Sequence, residues 1–179
     1  AMVGASMLWV GWFGFNAGSA LSASQSAGMA MLVTHISAAA ATLTWMFIDW
    51  YKNGKPGLVG MITGMIAGLA TVTPASGFIG PFGGLILGIS SGIVCYWFVG
   101  FIKNVLSIDD SLDVFAVHGV GGILGTLLCG VLASSTFGGL GLDGDIWSQT
   151  KVQVLGIVSI SVYTLIATSV IVYFVNSLV

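Results

Sequence analysis

Long stretches without any charged residue are the feature that most constrains the fold of this chain. Its four Lys or Arg and six Asp or Glu residues leave four uninterrupted intervals without formal charge, at 1–48, 56–102, 114–142 and 152–179. A helix that spans a bilayer needs about 20 apolar residues, so the two longest intervals accommodate two helices each and the others one each. The sequence therefore predicts an all-α membrane protein with about six transmembrane helices.

Turn-forming residues divide these intervals into individual helices. The turn Asn53-Gly54-Lys55-Pro56 ends the second helix, and Thr73-Pro74 ends the third, because Gly and Pro disfavour a continuing helix. The predicted helices lie near 1–20, 25–50, 57–73, 78–105, 111–135 and 149–179.

The distribution of lysines predicts the orientation in the membrane. Lys52 and Lys55 share one loop and Lys103 lies in a later loop on the same side, whereas Lys151 lies on the other side with Asp143 and Asp145. Basic residues favour the cytoplasmic side, so both ends of this segment are expected in the cytoplasm. We expect a multi-pass protein of the inner or plasma membrane. The net charge of −2 gives no indication of a nucleic-acid partner.

Neither enzyme chemistry nor a metal or cofactor site is indicated by the polar residues. Cys95 and Cys129 have no second ligand at metal-binding spacing and are interpreted as small buried apolar residues. Asp109, Asp110 and Asp113 precede or begin the fifth helix, where carboxylates cap free backbone N–H groups. No serine–histidine–aspartate triad or carboxylate pair emerges.

Glycines at helical spacing predict close packing between helices. Small residues four positions apart form a flat stripe that a neighbouring backbone can approach. Such stripes occur at Gly60/Gly64/Gly68, at Gly80/Gly84/Gly88/Gly92, at Gly14/Gly18 and at Gly121/Gly125.

One face of the first helix combines aromatic and polar side chains. Trp12, Phe15, Asn16 and Ser19 stand at i, i+3, i+4 and i+7. Aromatic faces attract cations, and the amide and hydroxyl oxygens can replace part of a lost hydration shell. An interfacial aromatic belt explains the same pattern equally well.

Two histidines fall inside predicted spans, where ionisable residues are costly and usually functional. His118 has Gly121, Gly122 and Gly125 on its face, which leave space beside the ring or admit another helix. A buried imidazole is favoured in its neutral form, which both donates and accepts hydrogen bonds. Taken on its own, such a histidine is more often a structural residue that bonds a neighbouring helix. His35 lacks an aromatic face, and Thr34, Ser37 and Thr42 are its expected local partners, which favours a structural role.

Four ordered motifs together resemble those of the ammonium transporter (Amt/Mep/Rh) family. They are residues 11–19 (GWFGFNAGS), 54–56 (GKP), 73–77 (TPASG) and 109–120 (DDSLDVFAVHGV). The resemblance implies an eleven-helix homotrimeric fold with two inverted five-helix repeats and a final long helix. Residues 1–179 then form a partial transmembrane domain, the second repeat plus the last helix, without the first repeat and the cytoplasmic tail.

The resemblance also implies roles for individual residues in ammonium (NH4+/NH3) transport. Phe15 is similar to one of two stacked gate phenylalanines, and Ser19 to the hydroxyl of the external recruiting site. Trp12 and Asn16 match positions at or near the pore wall. His118 is similar to one of two paired pore histidines, whose partner belongs to the missing repeat and is not His35.

Two other functions remain open at this point. An ammonium sensor with the same fold would carry a fused cytoplasmic signalling module, and a pore for water or carbon dioxide would share the architecture. The resemblance further implies a PII-type cytoplasmic regulator as a partner of the complete protein.

Overall fold

The computed structural model describes residues 1–142 and 144–178, and within them it consists of helices and connecting loops without strands. Asp143 and Val179, which belong to the predicted external loop and to the end of the sixth helix, lie outside the described residues. The main helices are α1 Met2–Gly18, α2 Gln25–Asn53, α3 Leu58–Val72, α4 Pro81–Gly100, α5 Gly121–Leu132 and α6 Ile146–Leu178. A π-helical segment, Phe101–Val105, extends α4, and another, Phe115–Val120, leads directly into α5.

The prediction of six helices in an all-α membrane protein is confirmed. Four continuous helical stretches are long and apolar enough to cross a membrane: Gln25–Asn53, Pro81–Val105, Phe115–Leu132 and Ile146–Leu178. The remaining two, α1 and α3, are shorter, at 17 and 15 residues. An α-helix rises 1.5 Å per residue, so each of these two covers roughly 25 Å or less.

Local signals explain where the helices begin and end. The Ser24 side chain accepts a hydrogen bond from the backbone N–H of Ala27 at the start of α2. Gly54 ends the same helix in the left-handed conformation, with φ +74°. Asp145 accepts a hydrogen bond from the backbone N–H of Ser148 at 2.6 Å, and this bond lowers the pKa of the Asp145 carboxyl. The α6 helix, which follows Asp145 directly, begins slightly earlier than predicted.

The central helix is α2, which α3 and α4 contact through their glycine stripes. A Cβ added to Gly68 on α3 or to Gly88 on α4 would lie 2.5 Å from the same atom, the carbonyl oxygen of Ser37. The Ser37 hydroxyl also donates to the Gly68 carbonyl at 2.9 Å. The packing role predicted for these two stripes is therefore confirmed.

The two shorter glycine pairs behave differently. Gly121 and Gly125 pack against Thr71 of α3, as the stripe predicts. For Gly14 and Gly18 the described residues provide no packing partner, because an added Cβ at either position would meet no atom within 4 Å, and the role predicted for them stays a prediction. The glycine face of α1 is left uncovered because no described element packs against it.

The two ends of the bundle are distinguished by their charges. The Lys52 ammonium lies 3.7 Å from the centre of the Trp97 ring, which shows that α2 and α4 finish at the same end. We call this the lysine end, since it also carries Lys55 and Lys103. The opposite end contains the α1–α2 and α3–α4 connections.

Candidate functional site

Three rings form a continuous row along one side of the bundle. The Trp12 ring lies 6.5 Å from the Phe15 ring in edge-to-face geometry. The same ring stacks on His118, at 6.3 Å between ring centres and with 10° between the planes. We call Phe15, Trp12 and His118 the aromatic row. The structure thus brings together three of the five predicted site residues, from α1 and from the π-helical turn before α5.

The Trp12 side chain is held by a hydrogen bond to Thr73, a residue that no helical periodicity indicates. Its indole Nε1 donates to the hydroxyl of Thr73 at 2.7 Å, and that hydroxyl donates to the Leu69 carbonyl, also at 2.7 Å. The only sequence signal for Thr73 is its place in the 73–77 motif, because 61 residues separate the two partners.

Next to the row, at the opposite end of the bundle, lies a pocket of about 320 Å³. Its wall combines aromatic rings with hydroxyl and amide groups, contributed by Phe15, Asn16, Ser19, Ala20, Ser26, Ala30, Thr73, Ser76, Gly77 and Phe78. The Ser19 hydroxyl donates to the Phe15 carbonyl at 2.7 Å. Because its proton is used within its own helix, the free lone pairs of Ser19 can accept a hydrogen bond from a ligand.

Asn16 has a structural contact in addition to its place in the pocket wall. Its side chain is only 6% exposed, and its Nδ2 donates to the Thr34 hydroxyl at 2.9 Å. The Thr34 hydroxyl in turn donates to the Ala30 carbonyl at 2.6 Å. Asn16 therefore ties α1 to α2, which holds the face that carries Phe15 and Ser19.

His118 lies in the π-helical turn and its side chain is exposed on the open side of the bundle. The glycines on its face take both of the predicted roles. Gly121 and Gly125 admit α3, whereas an added Cβ on Gly122 would meet nothing within 4 Å. π-Helical turns occur mostly as single-turn insertions, frequently at functional sites.

Of the three aspartates predicted to cap the fifth helix, only Asp110 does so. Its carboxylate accepts bonds from the N–H groups of Val114 at 2.8 Å, Phe115 at 2.9 Å and Ala116 at 3.3 Å. The prediction is wrong for the other two. Asp109 accepts from the Ser111 hydroxyl, and Asp113, at φ +57°, forms an ion pair with Lys103 at 2.6 Å. The helix begins only after Asp113 because that residue is left-handed.

We expect Asp110→Asn to destabilise the turn that carries His118. An amide keeps only one acceptor oxygen, so bonds to the first turn are lost at a cost of about 1–2 kcal/mol. Asp109→Asn is the matched control, since Asp109 accepts no backbone N–H bond of this turn. Thermal unfolding in detergent measures the difference, and equal melting temperatures for the two variants would contradict the capping role.

His35 has aromatic neighbours that the local sequence does not reveal. Its ring lies 5.2 Å from the Trp9 ring and 5.9 Å from the Phe13 ring, both on α1. The expectation that it lacks an aromatic face is wrong, because the face comes from another helix. Its expected partner Thr34 bonds Asn16 and Ala30 instead, and Ser37 and Thr42 donate to backbone carbonyls.

The cysteines have the predicted structural character. Cys95 and Cys129 are both free and buried, each in an apolar cluster. Across residues 1–142 and 144–178, no three His, Cys, Asp or Glu side chains come together in a way that could hold a metal ion.

Comparison with known proteins identifies one family to which the chain is similar. The family model of the Ammonium Transporter Family matches residues 1–179. An ammonium transporter of Aquifex aeolicus is 44% identical over 170 residues, which cover 94% of this chain and 40% of the relative.

Solved structures give the same result for the fold. The crystal structure of Saccharomyces cerevisiae Mep2 superposes with a TM-score of 0.89 at 35% identity, covering 98% of this chain and 44% of Mep2. A structure described as a sensor Amt protein superposes with a TM-score of 0.81 at 34% identity, covering 88% of this chain and 39% of the sensor protein. The chain thus spans less than half the length of each of these relatives.

Proposed function

The chain belongs to the ammonium transporter family, and we propose that it provides one wall of a narrow apolar pathway for ammonium. Family membership makes it a multi-pass membrane protein of a transporter family rather than an enzyme. The observation that carries the proposal is the continuity of the site. Phe15 both lines the Ser19 pocket and begins the aromatic row, which continues through Trp12 to His118, and none of the pocket-lining residues is charged.

Recruitment of ammonium would occur at the pocket beside Ser19. An ammonium ion carries four N–H donors and no acceptor, so it requires lone pairs and π faces. Ser19 offers a free lone pair, and the exposed ring of Phe15 offers a face that attracts a cation by about 2 kcal/mol or more once the ion is desolvated. The polar backing of the pocket, from Asn16 and Ser76, adds further oxygen atoms.

Transfer beyond the pocket would follow the aromatic row. Phe15, with its side chain 64% exposed, acts as one side of a gate. A neutral His118 offers a hydrogen-bond donor and an acceptor to a species that has lost its hydration shell. We propose that its imidazole pairs with a second histidine from the first repeat, and that the open side of the row faces that repeat.

The remaining features of the family complete the proposal. We propose that residues 1–179 are a partial transmembrane domain, the second repeat plus the last helix, of a homotrimer in the cell membrane. Lys52, Lys55 and Lys103 support a cytoplasmic lysine end, which puts both ends of the segment in the cytoplasm. A PII-type protein is the proposed regulator at that end.

Uptake into proteoliposomes tests the proposal, with the protein expressed from its complete gene. We expect ammonium or methylammonium flux well above that of empty liposomes. Water or carbon dioxide supplied at the same time should leave the ammonium flux unchanged. Removing both ring side chains, in the variant Phe15→Ala/His118→Ala, should change that flux. If the double variant transports ammonium as the wild type does, the assigned pathway is wrong.

An ammonium sensor is the second candidate, and the structural likeness to a sensor Amt protein supports it. The two functions would use the same recruiting pocket and differ in the segment that continues the chain beyond α6. The sequence encoded after Val179 separates them, because a kinase-like or cyclase-like domain favours sensing and a short polar tail favours transport.

A further inference from the structure

We propose that Thr73 is a positioning residue of the pathway, which holds the Trp12 indole parallel to the His118 imidazole. The inference rests on the proposed function, in which Trp12 and His118 line the route of ammonium. Thr73 is not itself part of the aromatic row, and it acts through the orientation of Trp12.

The hydrogen bonds of Thr73 leave the indole a single orientation. The Thr73 hydroxyl proton is directed at the Leu69 carbonyl, so its lone pairs point away from α3, where Trp12 Nε1 donates to them at 2.7 Å. Flipping the indole would leave its N–H without this partner, in a site that is only partly open to water. The bond therefore selects one rotamer of Trp12.

The same rotamer determines the contact with His118. The two ring planes are only 10° apart, at 6.3 Å between centres, and the His118 side chain is exposed, so its imidazole nitrogens are accessible beside the indole. A tilted indole would occupy space along the row on one side of His118. Orientation of Trp12 therefore controls both the width of the row and the access of a ligand to the imidazole nitrogens.

Thr73 can act as a fixed reference because the end of α3 is locked to the helix that comes after His118. A Cβ added to Gly125 on α5 would lie 3.1 Å from Pro74 Cγ, and one added to Gly121 would lie 2.7 Å from the Thr71 hydroxyl. These close contacts bracket Thr73 on both sides in sequence. The anchor of Trp12 and the backbone of His118 consequently belong to one packed unit.

Thr73→Val tests the inference, because it removes the hydroxyl while keeping the β-branched shape. Loss of one such hydrogen bond is expected to lower the maximal rate of ammonium uptake roughly three- to ten-fold, with little change in the half-saturating concentration. Thr73→Ser should restore most of the rate. Thr63→Val is the matched control, since the Thr63 hydroxyl makes an exposed hydrogen bond to the Val59 carbonyl of the same helix.

Two further measurements separate positioning from general damage. Trp12→Phe removes the indole N–H, so adding Thr73→Val to it should cause no further loss of rate. The emission of Trp12, taken as the difference between wild type and Trp12→Phe, should shift in Thr73→Val and stay unchanged in Thr63→Val.

Failure of the proposed function and failure of the positioning role give different results. If the wild type carries no ammonium, the proposed function fails, whereas the emission shift still reports the Thr73 anchor. If ammonium is transported but Thr73→Val matches Thr63→Val in rate or in emission, the positioning role is overturned. Additive losses in the double variant would overturn it as well.

Discussion

Gly88→Leu is expected to prevent α2 and α4 from packing, and with it the folding of the bundle. A Cβ at Gly88 would lie 2.5 Å from the Ser37 carbonyl oxygen and 2.7 Å from the Ala40 Cβ. Both atoms belong to the middle of α2, which α3 also approaches closely at the Ser37 carbonyl oxygen. Because neither helix can move away without losing other contacts, the cost is about 3 kcal/mol or more. The expected readout is loss of monodisperse protein in detergent and a strongly lowered melting temperature.

Gly28→Leu is the matched control for this substitution. Gly28 lies in α2 as well, but an added Cβ there meets no atom within 4 Å. Gly88→Ala serves as a graded variant, expected to fall between the control and Gly88→Leu. Equal melting temperatures for Gly88→Leu and Gly28→Leu would show that α4 does not approach α2 as closely as the structure has it.

The glycine stripes on α3 and α4 could be predicted because their information is local. A spacing of four residues places the glycines on one face of a helix, and a face without side chains indicates that another segment of the protein approaches it closely. The identity of the approaching element is not encoded in the stripe. The spacing at Gly14 and Gly18 is the same, yet nothing in the described chain covers them.

Contacts between distant residues are the part of the site that sequence patterns could not predict. The bond from Trp12 to Thr73 joins α1 to the end of α3, and the rings beside His35 come from α1 rather than α2. No period within one helix reports either contact. Asp113 is a similar case, because its left-handed backbone and its ion pair with Lys103 depend on how the loop folds.

The three residues of the aromatic row could be predicted from the sequence to different degrees. Trp12 and Phe15 follow from one helical face, which holds whatever the tertiary structure is. That His118 joins them from a distant part of the chain follows only from the resemblance or from the structure itself. The pocket partners Thr73 and Ser76 lie in the 73–77 motif, which carries no periodic signal, and Phe78 directly follows it.

His118→Leu is expected to lower ammonium flux roughly 10- to 100-fold in the proteoliposome assay. Leucine has a volume close to that of histidine but neither donates nor accepts a hydrogen bond. A desolvated ammonium or ammonia beside the row would then lack its polar partner at this depth. His118→Asn keeps one donor and one acceptor, so it should retain more flux than leucine.

His35→Leu is the control that shows whether the loss of flux is specific to His118 or follows from replacing any histidine in this membrane domain. Both histidines have exposed side chains and aromatic neighbours, but His35 contacts Trp9 and Phe13, outside the aromatic row. If ammonium passes along the row, only the His118 substitution reduces flux, while the two variants melt at similar temperatures. If His118 is instead a structural residue that bonds a neighbouring helix, His118→Leu should lower the melting temperature and leave the flux per folded protein unchanged. That second pattern would remove His118 from the pathway and leave Ser19 and Phe15 as an entrance without the proposed route behind it.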